Sequence, residues 1–178
     1  MDIDTLAKLT AKAWSLRVPA LMHEGVPGRQ APLIAASGAG RMSVVNALSH
    51  LEALGFLERT PRHGHPLRPE FRLTEAGRNV APLAHRIDTA ARDSVGSALV
   101  RKSWTVPVLA VTRRSVTFSR IRAELAPITD RALSMSLDRL HRQTWIERSV
   151  DVSMRPPRPL YRATNAGAEI SRDVGLAG

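Results

Sequence analysis

Cysteine is absent from this chain of 178 residues. That excludes disulfides, thiol catalysis and thiol-based redox sensing, and it suits a reducing compartment. Lysine is scarce as well, occurring only at 8, 12 and 102, so the basic charge is almost all arginine. No apolar run approaches the eighteen or so residues that span a bilayer, which argues against a membrane partner. The first residues, Met1-Asp2-Ile3-Asp4, lack the order of a signal peptide. The expected location is the bacterial cytoplasm, in association with the nucleoid.

Catalytic signatures are missing too. The chain has no phosphate-binding glycine loop, no G-x-S-x-G and no H-E-x-x-H, and its six histidines are scattered at 23, 50, 63, 65, 85 and 141. His63-x-His65 has no third ligand nearby and makes a poor metal site. No enzymatic activity, cofactor or metal is expected.

Positive charge is abundant. Lys and Arg total 26 against 16 acidic residues, a formal charge of +10. Such a balance in a small protein points to a polyanion, most often nucleic acid, although a basic solvated surface has the same composition.

The chain also contains itself twice. Lys12-Ala13-Trp14-Ser15 returns as Lys102-Ser103-Trp104-Thr105, 90 positions on. Ala47-Leu48-Ser49-His50-Leu51 with Phe56-Leu57-Glu58-Arg59 returns as Ser136-Leu137-Asp138-Arg139-Leu140 with Trp145-Ile146-Glu147-Arg148, at an offset of 89. Phe71-Arg72-Leu73-Thr74-Glu75-Ala76-Gly77 returns as Tyr161-Arg162-Ala163-Thr164-Asn165-Ala166-Gly167, again at 90. Order and spacing together identify an internal duplication.

Each copy reads the same way. A tryptophan-bearing amphipathic helix leads to a short helix, over 32–37 or 118–125. After a turn comes a longer helix, over 41–54 or 130–144. Two β-like segments then flank a Pro- and Arg-rich tip: 57–60 with 70–73, and 146–152 with 160–163. Thr129, Thr74 and Thr164 are candidate N-caps. Trp14 and Trp104 are expected in the cores, with an inter-module pocket as the other reading. Val80, Leu83, Ile87, Ala91 and Val95 recur at helical spacing and predict a helical connector.

Helix, helix, turn, helix and two-stranded wing is the order of a winged helix-turn-helix. The expected fold is therefore mainly α with small β wings: two tandem modules, 1–79 and 101–178, joined by a helical connector over 80–100. The longer helix of each copy should enter a major groove of double-stranded DNA. In the second copy Leu133, Leu137 and Leu140 share one arc, while Arg131, Ser134, Met135, Arg139 and Arg142 lie outward with Asp138 at the edge. Arginine forks there suit guanine edges and phosphates, though charged helix faces are also ordinary solvated surface. In the first copy the outward residues are Met42, Asn46, Ser49, His50 and Ala53, with Arg41 at the start. Asn46, Ser49 and His50 are candidate readers, against the alternative that this copy has lost direct readout. The expected operator has one well-specified and one degenerate half-site. Wing candidates are Arg62, His63 and Arg68 in the first copy and Arg155 and Arg158 in the second. The alternative function is a winged-helix protein–protein interaction module with a basic docking face.

The second copy resembles the HxlR-type winged-helix transcription regulators. The likeness rests on Lys102-Ser103-Trp104-Thr105-Val106-Pro107-Val108-Leu109, Phe118-Ser119-Arg120-Ile121-Arg122, the Leu133 to Leu140 pattern and Pro159-Leu160-Tyr161-Arg162-Ala163-Thr164 with Ala166-Gly167. The first copy looks more diverged, closer to a MarR- or ArsR-like winged helix. Members of that family typically carry one module and pair as homodimers, so the resemblance implies a covalent pseudo-dimer and a regulator, with repression the expected sign. A cysteine common near the start of family members is missing here, so thiol sensing is not carried over. The sequence leaves a small-molecule effector and a homodimer of the chain open as further partners.

Overall fold

The computed structural model describes residues 1–60, 69–153 and 155–175. The first ninety residues run α1 (Ile3–Leu9), α2 (Arg17–His23), α3 (Gln30–Ser37), α4 (Arg41–Ala53), β1 (Leu57–Arg59), β2 (Phe71–Leu73) and α5 (Glu75–Ala90). The remainder runs α6 (Ser94–Val100), α7 (Thr105–Val111), β3 (Val116–Thr117), α8 (Phe118–Glu124), α9 (Asp130–Arg142), β4 (Ile146–Asp151), β5 (Arg158–Ala163) and α10 (Asn165–Val174). This is the mainly helical fold with small antiparallel sheets expected of two winged helix-turn-helix modules.

The chain divides into two units, Ala11–Thr89 and Met1–Thr10 with Ala90–Gly178. The dividing lines thus fall beside residues 10 and 90, where the sequence suggested modules of 1–79 and 101–178. The first ten residues join the second unit because α1 packs on α7. Leu6 and Leu9 are fully buried, and the Thr10 hydroxyl donates to the Ser103 carbonyl at 3.0 Å. The stretch expected as a helical connector holds the end of α5 and the whole of α6. Asp93 accepts from the Gly96 amide at 2.6 Å and caps a new helix, so α5 stops and α6 begins. Val80, Leu83, Ile87 and Ala91 are buried as expected, whereas Val95 is 49 % exposed.

In the unit Ala11–Thr89, Val44, Ala47, Leu48 and Leu51 turn one face of α4 inward, and Leu33 of α3 is fully buried. Arg17 of α2 pairs with Asp88 of α5, and His85 of α5 contacts Glu24 at 3.1 Å. β1 and β2 pair antiparallel, and a single bridge joins Arg29 to Glu70. The other unit repeats this plan. Leu133, Leu137 and Leu140 line the inner face of α9, Ile121 and Leu125 follow α8 inward, and a sheet in the order β3-β5-β4 forms the wing.

The tryptophans depart from expectation. Trp14 sits in the turn before α2 with φ 71°, and Trp104 stands at the N-terminus of α7; both are half-buried rather than core. The buried one is Trp145. It follows α9 as Phe56 follows α4, and both close the helix in the same manner. The Phe56 and Trp145 amides donate back to Leu51 and Leu140, and the Gly55 and Thr144 amides donate to Glu52 and His141. That is the Schellman pattern, in which the apolar residue after the turn packs near the helix's last turn.

The turn position itself is left-handed, φ 74° at Gly55 and 56° at Thr144. A β-branched residue pays about 1–2 kcal/mol there, while glycine loses only about 0.4–1 kcal/mol through extra freedom of the unfolded chain. Thr144→Gly should therefore raise the melting temperature by a few degrees, a gain of roughly 0.5–1 kcal/mol. The backbone carbonyl of Thr144, which accepts from the Thr164 hydroxyl and the Asn165 amide at 2.8 Å each, survives the change. A lower melting temperature for Thr144→Gly would show that the turn is not strained.

Candidate nucleic-acid interface

The outward face of α9 is built from its two ends inward. Thr129 accepts from the Ala132 amide at 3.2 Å and starts the helix as the sequence suggested. The Schellman turn at Thr144 ends it, and the Thr164 hydroxyl ties that turn to the start of α10. With both ends fixed and the leucines inward, Arg131, Ser134, Met135, Asp138 and Arg142 are exposed, Met135 at 43 %. Arg139 lies half-buried on the flank of this face, so Arg131 is the exposed arginine of α9 without an acidic partner among the described residues.

Two carboxylates shape the charge on this surface. Asp138 holds Arg142 through two contacts of 3.1 and 3.0 Å. Asp130 holds Arg122 of α8 at 2.5 Å across the helix-turn-helix. These pairs are exposed, worth at most about 1 kcal/mol each, and leave the guanidiniums able to exchange a carboxylate for a phosphate. Arg131 and Arg139 have no acidic partner among the described residues.

The wing supplies further cations. Arg155 and Arg158 are exposed, and Arg158 lies opposite Asp151 in the β4–β5 register. The Ser153 hydroxyl donates to Asp151 at 2.6 Å, its amide donates at 3.0 Å, and Arg158 adds a favourable charge. Together they hold the Asp151 carboxyl below its ordinary range, so the wing keeps one fixed negative charge beside its arginines. Arg113 and Arg114, in the loop before β3, and Arg148 on β4 are also exposed and lack an acidic partner among the described residues. The sequence reading passed over these three. The Arg113-Arg114 doublet directly before a strand was the available signal.

The first unit builds the same frame with other side chains. Thr74 ties the turn after α4 as Thr164 does after α9: its hydroxyl donates to the Gly55 carbonyl at 2.6 Å and accepts from the Gly77 amide. Thr164, by contrast, makes no cap bond to its own helix. Arg41, Met42, Asn46 and Ser49 are exposed, Met42 at 66 %, and His50 is half-buried. Beyond Arg41 the exposed face of α4 carries no arginine or lysine. Arg59 on β1 is held by Glu52 at 2.9 Å, and Arg72 by Glu58 at 2.8 Å. The wing candidates Arg62, His63 and Arg68 lie outside the described residues.

The description "HxlR-like helix-turn-helix" matches this chain twice, over residues 9–96 and 99–175. The chain belongs to the HxlR-like helix-turn-helix family. Both halves match it, including the first, whose residues look closer to a MarR- or ArsR-like module. Membership makes this tandem HxlR-like protein a DNA-binding transcriptional regulator, of a family of regulators rather than of enzymes. A crystal structure of a MarR-family protein from Porphyromonas gingivalis W83 is similar over 43 % of this chain and 76 % of its own, at 19 % identity and a TM-score of 0.40. No curated protein matches the chain. Among the described residues no helix is long and apolar enough to cross a membrane, and no group of three or more ligating side chains is placed to hold a metal.

Proposed function

We propose that this HxlR-like chain is a sequence-specific repressor that reads duplex DNA as a single-chain pseudo-dimer, with α4 and α9 entering neighbouring major grooves. The observation that carries this reading is the repeated frame. Two 13-residue helices, with the same inward leucines and the same closing turn, each follow a short helix and precede a wing. Two recognition helices in one polypeptide suit two half-sites one helical turn apart, about 34 Å. Bound across a promoter, such a protein blocks polymerase by occupancy alone.

The two half-sites are unequal, because Arg131 and Arg139 stand where the first unit has Met42 and His50. Arginine pairs bidentately with guanine, and losing such a pair costs about 1–3 kcal/mol. Arg131→Ala should therefore weaken binding to a selected operator by that amount. His50→Ala should cost under about 1 kcal/mol, since an imidazole makes a single hydrogen bond where a guanidinium makes a bidentate pair. Gel-shift titration with active-site-counted protein tests the reading. One chain per operator is the expected stoichiometry, and equal loss for both variants, with folding intact by circular dichroism, would count against unequal readers.

A further inference from the structure

The outward positions of α4 and α9 correspond one to one at an offset of 89: Met42 with Arg131, Val45 with Ser134, Asn46 with Met135, Ser49 with Asp138, and Ala53 with Arg142. Because Leu48 and Leu137 are buried at the same register and both helices end in the same turn, these pairs occupy equivalent places on equivalent frames. No pair conserves its chemistry. At these positions α9 exposes two guanidiniums, a carboxylate, the Ser134 hydroxyl and the Met135 thioether, whereas α4 exposes a thioether, an amide, a hydroxyl and a methyl and no charged group.

We infer that the two helices read different base-pair chemistry: α9 takes a half-site containing G·C pairs, and α4 takes an A·T half-site in which Asn46 specifies adenine. The inference rests on the proposed reading of DNA by both helices and adds what each one selects. Arg131 offers only donors, which match the two acceptors of guanine. Asp138 offers only acceptors, which match the amino group of cytosine and oppose the carbonyl of thymine or guanine. Asn46 offers a donor and an acceptor on one edge, the complement of the adenine N6 and N7 pair.

Met42 and Val45 reinforce the A·T preference. An apolar side chain against guanine or cytosine covers hydrogen-bonding groups and gives them no partner, which carries a desolvation cost. Against the thymine methyl it gains contact and covers nothing polar. Beyond Arg41 this face carries no guanidinium, so the middle of α4 offers guanine no two-donor fork. The operator is thus asymmetric in composition, a G·C-bearing half beside an A·T half, rather than an inverted repeat.

Selection of the full-length protein against a random duplex pool tests this directly. The expected product is a composite site whose halves differ as stated. Asn46→Ala should erase the adenine preference at one position, about a tenfold loss of discrimination, and leave the G·C half unchanged. Asn46→Asp, an isosteric change at an exposed position, should move that preference to cytosine. Deoxyuridine in place of thymine removes only the methyl and should weaken binding by about fourfold per contacted methyl in the A·T half. Two identical half-sites, an unchanged profile for Asn46→Ala, or indifference to deoxyuridine would each overturn the inference while leaving DNA reading intact. A pool that yields no enriched sequence would overturn the underlying reading itself.

Discussion

Raising the salt concentration from 50 to 200 mM should weaken operator binding by about five hundredfold. Each neutralised phosphate contributes about −0.9 to the slope of log K against log salt, so the magnitude depends on how many arginines are free to engage. The total of 26 Lys and Arg overstates the supply. Arg29, Arg59, Arg72, Arg120, Arg122, Arg142 and Arg162 are each held by a carboxylate. In the second unit Arg113, Arg114, Arg131, Arg139, Arg148 and Arg155 have no acidic partner among the described residues. With Arg131 given to a base edge, the other five give a slope of about −4.5, and a fourfold change in salt raised to that power is about 500. Arg113→Ala should flatten the slope by about one and weaken all sequences alike. Arg131→Ala should weaken the operator more than random duplex, because a base contact carries sequence discrimination that a phosphate contact lacks. Titrations of both variants at four salt concentrations measure this, and a wild-type slope shallower than −2 would mean that the arginine surface is not the DNA interface.

The duplication, the bounds of α4 and α9 and the Thr129 cap were all legible in the sequence, for one reason. They are local signals of helical period, capping chemistry and spacing, and the structure obeys them to within a residue or two. The parts that were not legible depend on distant contacts. Nothing in Met1–Thr10 announces that it packs with residues beyond Ala90; the bond from Thr10 to Ser103 spans 93 positions. Trp14 matched Trp104 in the repeat, yet one occupies a left-handed turn and the other begins a helix, a backbone difference that side-chain identity does not report. At the site, the helical wheel found the outward face of α9 but ranked its arginines too evenly. The i,i+4 pairing of Asp138 with Arg142 was readable from spacing alone. The half-burial of Arg139 was not, since it depends on what packs beside the last turn.

Gly167→Ala and Gly77→Ala should each destabilise their unit by about 3 kcal/mol, against the trend of helix propensity. Both glycines lie in the first turn of a helix, where alanine is ordinarily better by about 1 kcal/mol. Here a Cβ at Gly167 would stand 2.2 Å from the Trp145 carbonyl oxygen, and one at Gly77 would stand 2.0 Å from that of Phe56. Those carbonyls belong to the chain leaving α9 and α4 and are themselves engaged: Trp145 accepts from the Thr164 amide at 2.9 Å, and Phe56 from the Thr74 amide at 3.1 Å. Backbone on both sides cannot swing aside as a flexible side chain would, so helix α10 or α5 must move by about an ångström and loosen its packing. For units of this size 3 kcal/mol corresponds to a fall of roughly 12–24 °C in melting temperature. Hydrogen exchange should place the loss in Ala11–Thr89 for Gly77→Ala and in the other unit for Gly167→Ala, since the two close approaches lie within separate units. The two variants therefore also separate the half-sites: Gly167→Ala should blur footprint protection where α9 reads, and Gly77→Ala where α4 reads. An alanine variant that melts at or above the parent temperature would mean that propensity outweighs the clash, and that the Ala-Gly pair shared by the two copies is not there to let a helix pass close to the turn.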